Sequence, residues 1–300
     1  MKKNVFLKLA SALLVLCLAS TCAIGTTFAK YTTADRASDT ARVAKWGITV
    51  AVSGTLFGSS YEDKTGGNDI MLGVSDSVEA LNGTDTIVAP GTENKTGFQV
   101  SITGTPEVQY DVTAGLNGET ISDIWLAKGT YAVMVVEYGV NENTDLSSLY
   151  VKDGATYKPA TTYAPGTVYY AAHDVVEVAE AKYFPIVWSV KDTDGNINTY
   201  DTLAAATTDM TTAFTAMGGD ATDPINETYT LTWAWPFEVG ADDAAKALRN
   251  AKDTILGNLA ANPASVVKLD GTNYVALTGA GTEYSLTINF GFNVTVSQED

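Results

Sequence analysis

The chain has 300 residues, of which 45% are hydrophobic and 18% are charged, and this balance predicts a folded protein. Its 35 acidic and 18 basic side chains give a formal net charge of −17, which disfavours binding to nucleic acids or anionic membranes. The single histidine, His173, argues against histidine-based catalysis and histidine-ligated zinc, because both usually need several imidazoles.

The first 29 residues have the layout of a secretory signal peptide. A basic start precedes an almost unbroken apolar run over residues 9–24, and small residues then place a cleavage site between Ala29 and Lys30. A single membrane anchor is the alternative, but the run is short for a span and lacks a charged flank. We therefore expect a secreted protein of the extracellular matrix or cell surface, processed by signal peptidase and without a membrane segment afterwards.

Cleavage would also remove both cysteines, Cys17 and Cys22, since they lie in the apolar run. The mature chain would then have no disulfide, no thiol nucleophile and no thiolate metal site. The sequence also lacks a zinc-binding His-Glu-x-x-His motif and a Gly-x-Ser-x-Gly nucleophile turn. We expect no catalytic residues, no cofactor and no enzymatic activity.

The elements predicted beyond the signal peptide are mostly β-strands, because apolar residues recur at every second position. The segments with this alternation are 44–52, 98–102, 108–114, 184–190, 229–237 and 284–296. Residues 131–138 are apolar on both faces, which indicates a central strand. Many alternating strands joined by Gly-, Asn-, Asp- and Pro-rich turns predict an all-β fold, a jelly-roll-like antiparallel β-sandwich, as a single domain over residues 30–300.

Two stretches predict short helices at the periphery of the sandwich. Residues 202–217 are rich in alanine, and residues 242–259 place apolar side chains on one face. Asp242 and Asp243 suit the first turn of the second helix, since acidic groups favour the positive end of a helix.

One loop offers a weak calcium candidate. Asp192, Asp194 and Asn196 place oxygen atoms at alternate positions, as at the start of a calcium-binding loop. Glycine falls at the fourth position, at Gly195, and leucine at the twelfth, whereas an EF-hand has glycine at the sixth position and glutamate at the twelfth. A tight hairpin turn is the favoured interpretation, because Asp-Gly is common in such turns.

The segment that follows the signal peptide suggests assembly between copies. Residues 34–39 are small and polar, and the strand behind them has an apolar face formed by Trp46, Ile48, Val50 and Val52. An apolar strand on a flexible lead can pair in its own sheet or in that of a neighbour. The alternative is that residues 43–52 form the first strand of a closed monomer.

Several motifs resemble those of one family of secreted proteins. Lys-Tyr-Thr-Thr at 30–33 and Ala-Arg-Val-Ala-Lys-Trp at 41–46 follow the signal peptide. Later motifs are Tyr-Phe-Pro-Ile-Val-Trp at 183–188, the tryptophan-rich strand at 229–238, Asp-Thr-Ile-Leu-Gly at 253–257 and Val-Thr-Val-Ser-Gln at 294–298. Together they resemble the TasA/camelysin group of Gram-positive bacteria, which SipW-type signal peptidases process.

This resemblance implies a jelly-roll subunit of extracellular biofilm matrix fibres that polymerises by donor-strand complementation. The N-terminal segment of one subunit, here residues 30–53, would enter a groove of the next. The donor residues would be Val43, Ala44, Trp46, Ile48, Val50 and Val52. Partners would be further copies of the chain and an accessory or anchoring fibre protein. Some relatives are labelled metallopeptidases, but this sequence lacks a zinc-ligand set, so that activity is not expected here.

A different class of function remains open in the sequence. A secreted carbohydrate- or cell-surface-binding module would present exposed aromatic side chains, for which Tyr157, Tyr163, Tyr169 and Tyr170 are the candidates. A secreted hydrolase is the least favoured function, given one histidine and no thiol.

Overall fold

The computed structural model describes residues 47–57, 60–62, 77–79, 87–116, 121–218, 224–277 and 280–298, and this part of the chain is an all-β sandwich with two α-helices. In chain order the strands are β1 (Ile48–Gly54), β2 (Ser60–Glu62), β3 (Ser77–Glu79), β4 (Glu93–Gly104), β5 (Tyr110–Leu116), β6 (Trp125–Glu137), β7 (Leu149–Asp153), β8 (Thr156–Pro159), β9 (Tyr169–Tyr183), β10 (Val187–Lys191), β11 (Ile197–Tyr200), β12 (Ile225–Ala234), β13 (Val266–Asp270), β14 (Asn273–Ala276), β15 (Tyr284–Ser285) and β16 (Phe292–Gln298). The predicted signal peptide, its cleavage site and both cysteines lie outside the described residues.

One layer of the sandwich is an antiparallel sheet with the strand order β1-β4-β12-β10-β11. The alternation predicted from the sequence fills the core side of this sheet, since Val100, Ile102 and Trp188 are fully buried. Trp188 and Trp233 lie directly opposite each other on β10 and β12, so both indoles share the core face. Strands β2 and β3 form a separate small hairpin.

The second layer contains an interrupted ribbon built from two distant runs of the chain. β15 pairs with β6, an isolated bridge joins Ser122 to Asn289, and β16 pairs with β5. The prediction of one continuous strand over 284–296 is wrong, because residues 286–291 lie between β15 and β16. Among the described residues, this stretch meets the opposite run through the single bridge between Ser122 and Asn289, which lies between the β15–β6 and β16–β5 ladders.

A buried carboxylate joins the two layers to the first helix. Asp123 is only 7% exposed and accepts hydrogen bonds from the Trp188 indole nitrogen, at 3.0 Å, and from the main-chain nitrogen of Leu203, at 2.7 Å. Burial raises the pKa of Asp123 to about 6, against the lowering effect of these two hydrogen bonds. The carboxylate thus satisfies two buried donors from different parts of the fold.

The two predicted helices are confirmed. Helix α1 spans Leu203–Thr215 and helix α2 spans Asp243–Ala261. Thr202 caps the first by accepting from Ala205 N, and Asp242 caps the second by accepting from Ala245 N at 2.8 Å. Helix α1 packs on β5, β10 and β11 and buries Leu203, Met210 and Phe214 in the main core, and helix α2 packs on β6, β9 and β13.

Six strands also close into an antiparallel ring, which the sequence analysis did not predict. The order is β6-β13-β14-β8-β7-β9, and β13 pairs back onto β6. A small separate core fills the ring with side chains from all six strands: Ala132, Met134, Tyr150, Tyr157, Tyr170, Ala172, Val267 and Tyr274. Because β6 and β9 are long enough to serve both assemblies, the ring is continuous with the sandwich. The central position predicted for 131–138 is confirmed only for 131–133, where β6 pairs with both β9 and β13. Beyond them β6 pairs with β9 alone, and Val135 and Tyr138 are exposed.

Candidate assembly edge

Strand β1 lies at the edge of the first layer and pairs, among the described strands, with β4 alone. Its register places Val50 opposite Ile102 and Val52 opposite Val100. Directly opposed residues share one face of a sheet, so both valines lie on the core side. Yet Val50 is 36% and Val52 57% exposed, whereas Val100 and Ile102 are completely buried. The second layer therefore covers the core side of β1 only in part, at Ile48 more than at Val50 and Val52.

The second layer has an open edge close to the first. Strand β16 contacts β1 but pairs only with β5 among the described strands. Its inward side chains, Phe292, Val294 and Val296, are only partly buried against the main core. Two sheet edges that have no further strand partner among the described residues thus lie side by side, an arrangement that can accept another strand. We call the region between β1 and β16 the seam.

The seam continues into an apolar cavity of about 450 Å³ at the C-terminal end of β1. Its walls come from both layers, and the rings of Phe98 and Phe290 meet edge to face across it at 5.0 Å between centroids. The full lining is Gly54, Thr55, Leu56, Phe57, Phe98, Ile288, Asn289 and Phe290. The interrupted ribbon at 286–291 leaves this space beside β1.

The chain directly after β1 is firmly held, in contrast to β1 itself. Leu56 is buried, and its carbonyl oxygen accepts from the Trp233 indole nitrogen at 2.6 Å and from Asn94 Nδ2 at 2.8 Å. Asn94 Nδ2 also donates to the carbonyl of Thr55, at 2.7 Å. Strand β1 is held mainly by its ladder to β4, whereas Thr55 and Leu56, which follow it, are held by hydrogen bonds from Asn94 and Trp233.

The predicted donor residues are therefore placed only in part. Ile48, Val50 and Val52 lie in β1 on one face, as the alternation predicted. Val43, Ala44 and Trp46 lie outside the described residues. In the single chain β1 pairs within its own sheet, at the edge rather than in the middle. The role of these residues in assembly stays a prediction.

The calcium candidate lies in the turn between β10 and β11. The Asp192 carboxylate accepts from the main-chain nitrogen and from Nδ2 of Asn196, both at 2.8 Å. The Asn196 side chain lowers the pKa of Asp192 by this hydrogen bond. The hairpin predicted here is confirmed. The side-chain nitrogen of Asn196, rather than its oxygen, faces the Asp192 carboxylate. Among the described residues no group of three or more His, Cys, Asp or Glu side chains could hold a metal ion.

The side chains considered for other functions are not arranged as a site. His173 is exposed where β9 bulges opposite Val133. Tyr157 and Tyr169 are each only 2% exposed, and Tyr170 packs edge to face on Tyr157 inside the ring. Tyr163 is half-buried and stacks on Tyr169, with 6.3 Å between ring centroids. All four tyrosines are thus used for packing and do not form the exposed aromatic platform that sugar binding needs.

No family model matches the chain, and no curated protein or solved structure shows significant similarity to it. In the part of the chain that the structure describes, neither helix is long and apolar enough to cross a membrane.

The sequence analysis missed the open edge of β16. An interrupted ladder depends on which strands become neighbours, and the unbroken alternation over 284–296 conceals it. It also gave no role to the motifs at 229–238 and 253–257, whose residues Trp235 and Asp253 line a second cavity.

Proposed function

We propose that this chain is an extracellular structural protein, a subunit of matrix fibres that assembles by donating its N-terminal segment, residues 30–53, to a neighbouring copy. The observation that carries the proposal is the exposure of Val50 and Val52 on the core side of an edge strand. Exposed apolar side chains do not stabilise a monomeric sandwich, and an edge strand that carries them can pair with another chain.

Exchange of β1 between copies would preserve its backbone pairing. In each fibre contact, β1 of one copy would form with β4 of the next the ladder that it forms within one chain. The fixed chain at Leu56 keeps the core closed when β1 leaves.

The stabilisation of a fibre would then come from the seam. An exchanged β1 makes the same contacts with β4 and β16 as before, so the gain must come from additional cover at the seam by the donor's residues 30–46 or by the body of the next copy. Covering the exposed parts of Val50 and Val52 in this way would contribute about 2 kcal/mol, since full burial of one such side chain contributes about 1.5–3 kcal/mol. Residues 43–46 add further apolar area, Trp46 above all. Ordering the lead segment opposes this gain, so durable contacts depend on the whole apolar face.

The remaining support comes from sequence. The signal peptide and the loss of both cysteines on cleavage agree with a protein that is stable outside the cell without thiols. The resemblance of the N-terminal motif and the tryptophan-rich strand to the TasA/camelysin group agrees with a fibre subunit and with an accessory or anchoring protein as a further partner.

A single charge in the seam tests this proposal. Val52→Lys should leave the monomer folded, because more than half of the Val52 side chain already meets solvent, and a lysine there can reach water. The same charge should reduce fibre mass at least tenfold, because covering the seam in the fibre would bury it unpaired. Sedimentation and negative-stain microscopy measure the fibres, and thermal melting measures the fold.

Ala51→Lys is the matched control. Ala51 is the neighbouring residue on the opposite face of β1, is exposed, and takes the same change in net charge. It should assemble as the unmodified chain does. Equal fibre yields from the two variants would show that the core-facing side of β1 is not buried in the fibre, and would reject the proposal.

A further inference from the structure

Glycine stands at both ends of the ladder between β1 and β4. Gly54 of β1 lies opposite Phe98 at one end, and Gly104 of β4 lies opposite Ile48 at the other. Gly54 and Gly47, which directly precedes β1, have positive φ angles of 78° and 60°, in the left-handed region that favours glycine. The chain on either side of the exposed segment thus takes a conformation that other residues seldom adopt.

At each end a glycine of one strand lies against a main-chain carbonyl of the other. A Cβ added at Gly54 would overlap the carbonyl oxygen of Gly97 on β4, and a Cβ added at Gly104 would overlap that of Gly47. The nearest atoms to these two positions all belong to residues 97–98 and 47–48 respectively, across the ladder. A side chain at either place would therefore collide with main-chain atoms of the opposite strand. The donor strand supplies the glycine at one end, and the acceptor strand supplies it at the other.

The alternation of apolar residues alone does not fix where β1 lies along β4. A shift by two residues keeps every side chain on its own face, so Val50 and Val52 would still point to the core side. The same shift would bring Val52 or Leu56 to the place of Gly54, and its Cβ would meet the carbonyl of Gly97. The glycines therefore select one register among those that the apolar face allows.

We infer that the edge of β4 is selective for its donor: it accepts an apolar strand that ends on glycine at the place of Gly54, and it can do so because β4 has glycine at 104. A second copy of this chain meets both conditions, whereas an apolar strand with a side chain at that place is excluded by a clash. The inference rests on the proposed function, since it concerns which strand the seam takes up.

Alanine substitutions in the mature chain, residues 30–300, test the two ends separately. Gly54→Ala and Gly104→Ala should each reduce fibre mass at least tenfold, because each places a Cβ against a carbonyl across the ladder. Alanine otherwise suits a strand interior better than glycine, so a loss at Gly104 points to the clash. Both variants should stay folded, since release of β1 removes the overlap and residues 49–54 are exposed.

Gly115→Ala is the matched control. Gly115 lies in β5, and a Cβ added there would meet no atom within 4 Å. This variant should form fibres as the unmodified chain does. Negative-stain microscopy and sedimentation measure the fibres, and thermal melting measures the fold.

A mixture of the two variants tests whether the glycines belong to one contact. The Gly54→Ala chain keeps an acceptor edge with Gly104, and the Gly104→Ala chain keeps a donor strand with Gly54. An equimolar mixture should therefore form one fitted contact for each pair of chains. Growth should stop at a dimer, because the donor and the acceptor that remain both carry alanine. Sedimentation velocity distinguishes this dimer from the monomers of each variant alone.

The outcomes separate this inference from the proposed function. If neither the unmodified chain nor Gly115→Ala forms fibres, the proposed function fails, and the inference fails with it. If both form fibres and either glycine variant assembles equally well, the inference alone is wrong. A mixture that stays monomeric or grows into fibres overturns it as well, and so does a glycine variant that unfolds, because β1 would then not be an exchangeable strand.

Discussion

Removal of residues 30–53 is expected to abolish fibres and to leave a folded monomer. The fold should survive because β1 covers little of the core: from Thr49 to Gly54 every residue is exposed. The core residues behind it are held by β12, which pairs with the other side of β4. The anchoring of Leu56 by Trp233 and Asn94 also remains in the truncated chain. Fibres should disappear because the donor segment is gone while the acceptor edge is intact.

The truncated chain offers a control of its own. A synthetic peptide of residues 30–53 should bind it at the exposed edge of β4, whereas a peptide with Val50→Pro and Ala51→Pro, which loses a main-chain donor to β4, should not. Negative-stain microscopy follows the fibres, circular dichroism the fold, and fluorescence anisotropy the peptide. Fibres of unchanged repeat from the truncated chain would contradict the donor assignment.

Replacement of Asp123 by alanine should cause a large loss of stability, about 3 kcal/mol. The substitution leaves the Trp188 indole nitrogen and the Leu203 main-chain nitrogen buried without an acceptor, and each such loss costs about 1–3 kcal/mol. The start of helix α1 would lose its link to the second layer. Urea unfolding of the monomer measures the effect as a lower midpoint at an unchanged slope.

Asp153→Ala is the matched control for this prediction. Asp153 forms an ion pair with Lys158 at 2.6 Å, but both side chains are more than half exposed. Such surface pairs add little to stability, because solvent and salt screen the attraction between their charges. If the two alanine variants unfolded at the same urea concentration, the buried hydrogen bonds of Asp123 would not be the support that the structure indicates.

Local sequence patterns predicted those helices and strands whose formation depends on residues close together in the chain. Thr202 and Asp242 mark the helix starts because each caps its own first turn, and the alternation at 98–102 marks a strand because one face is buried. The closed ring depends on a pairing between β13 and β6, with Val266 opposite Val133. Nothing local in either segment specifies a partner so distant in the chain.

The candidate sites were less predictable for a related reason. The alternation identified Val50 and Val52 as core-facing, but their exposure follows from where the second layer ends. Asp123 and Asp253 stand out only once folding buries them, because in sequence they are two of 35 acidic residues.

A pair of cysteines across β1 and β4 tests most directly whether β1 is exchanged between copies. Thr49 and Thr103 lie directly opposite each other and are both exposed. Opposed residues of antiparallel strands have Cα atoms about 4.5–5.5 Å apart, within the range of a disulfide. The chain's two cysteines, Cys17 and Cys22, lie in the predicted signal peptide, so the mature chain is expected to offer no competing thiol.

The control pair is Thr113→Cys with Thr295→Cys, which spans β5 and β16 and should close only within one chain. For Thr49→Cys with Thr103→Cys, oxidation before assembly should lock β1 in its own sheet and block fibres. Oxidation of finished fibres, followed by non-reducing electrophoresis, should give a ladder of covalent oligomers. Fibres whose disulfides all lie within single chains, or fibre growth from the locked monomer, would contradict strand exchange.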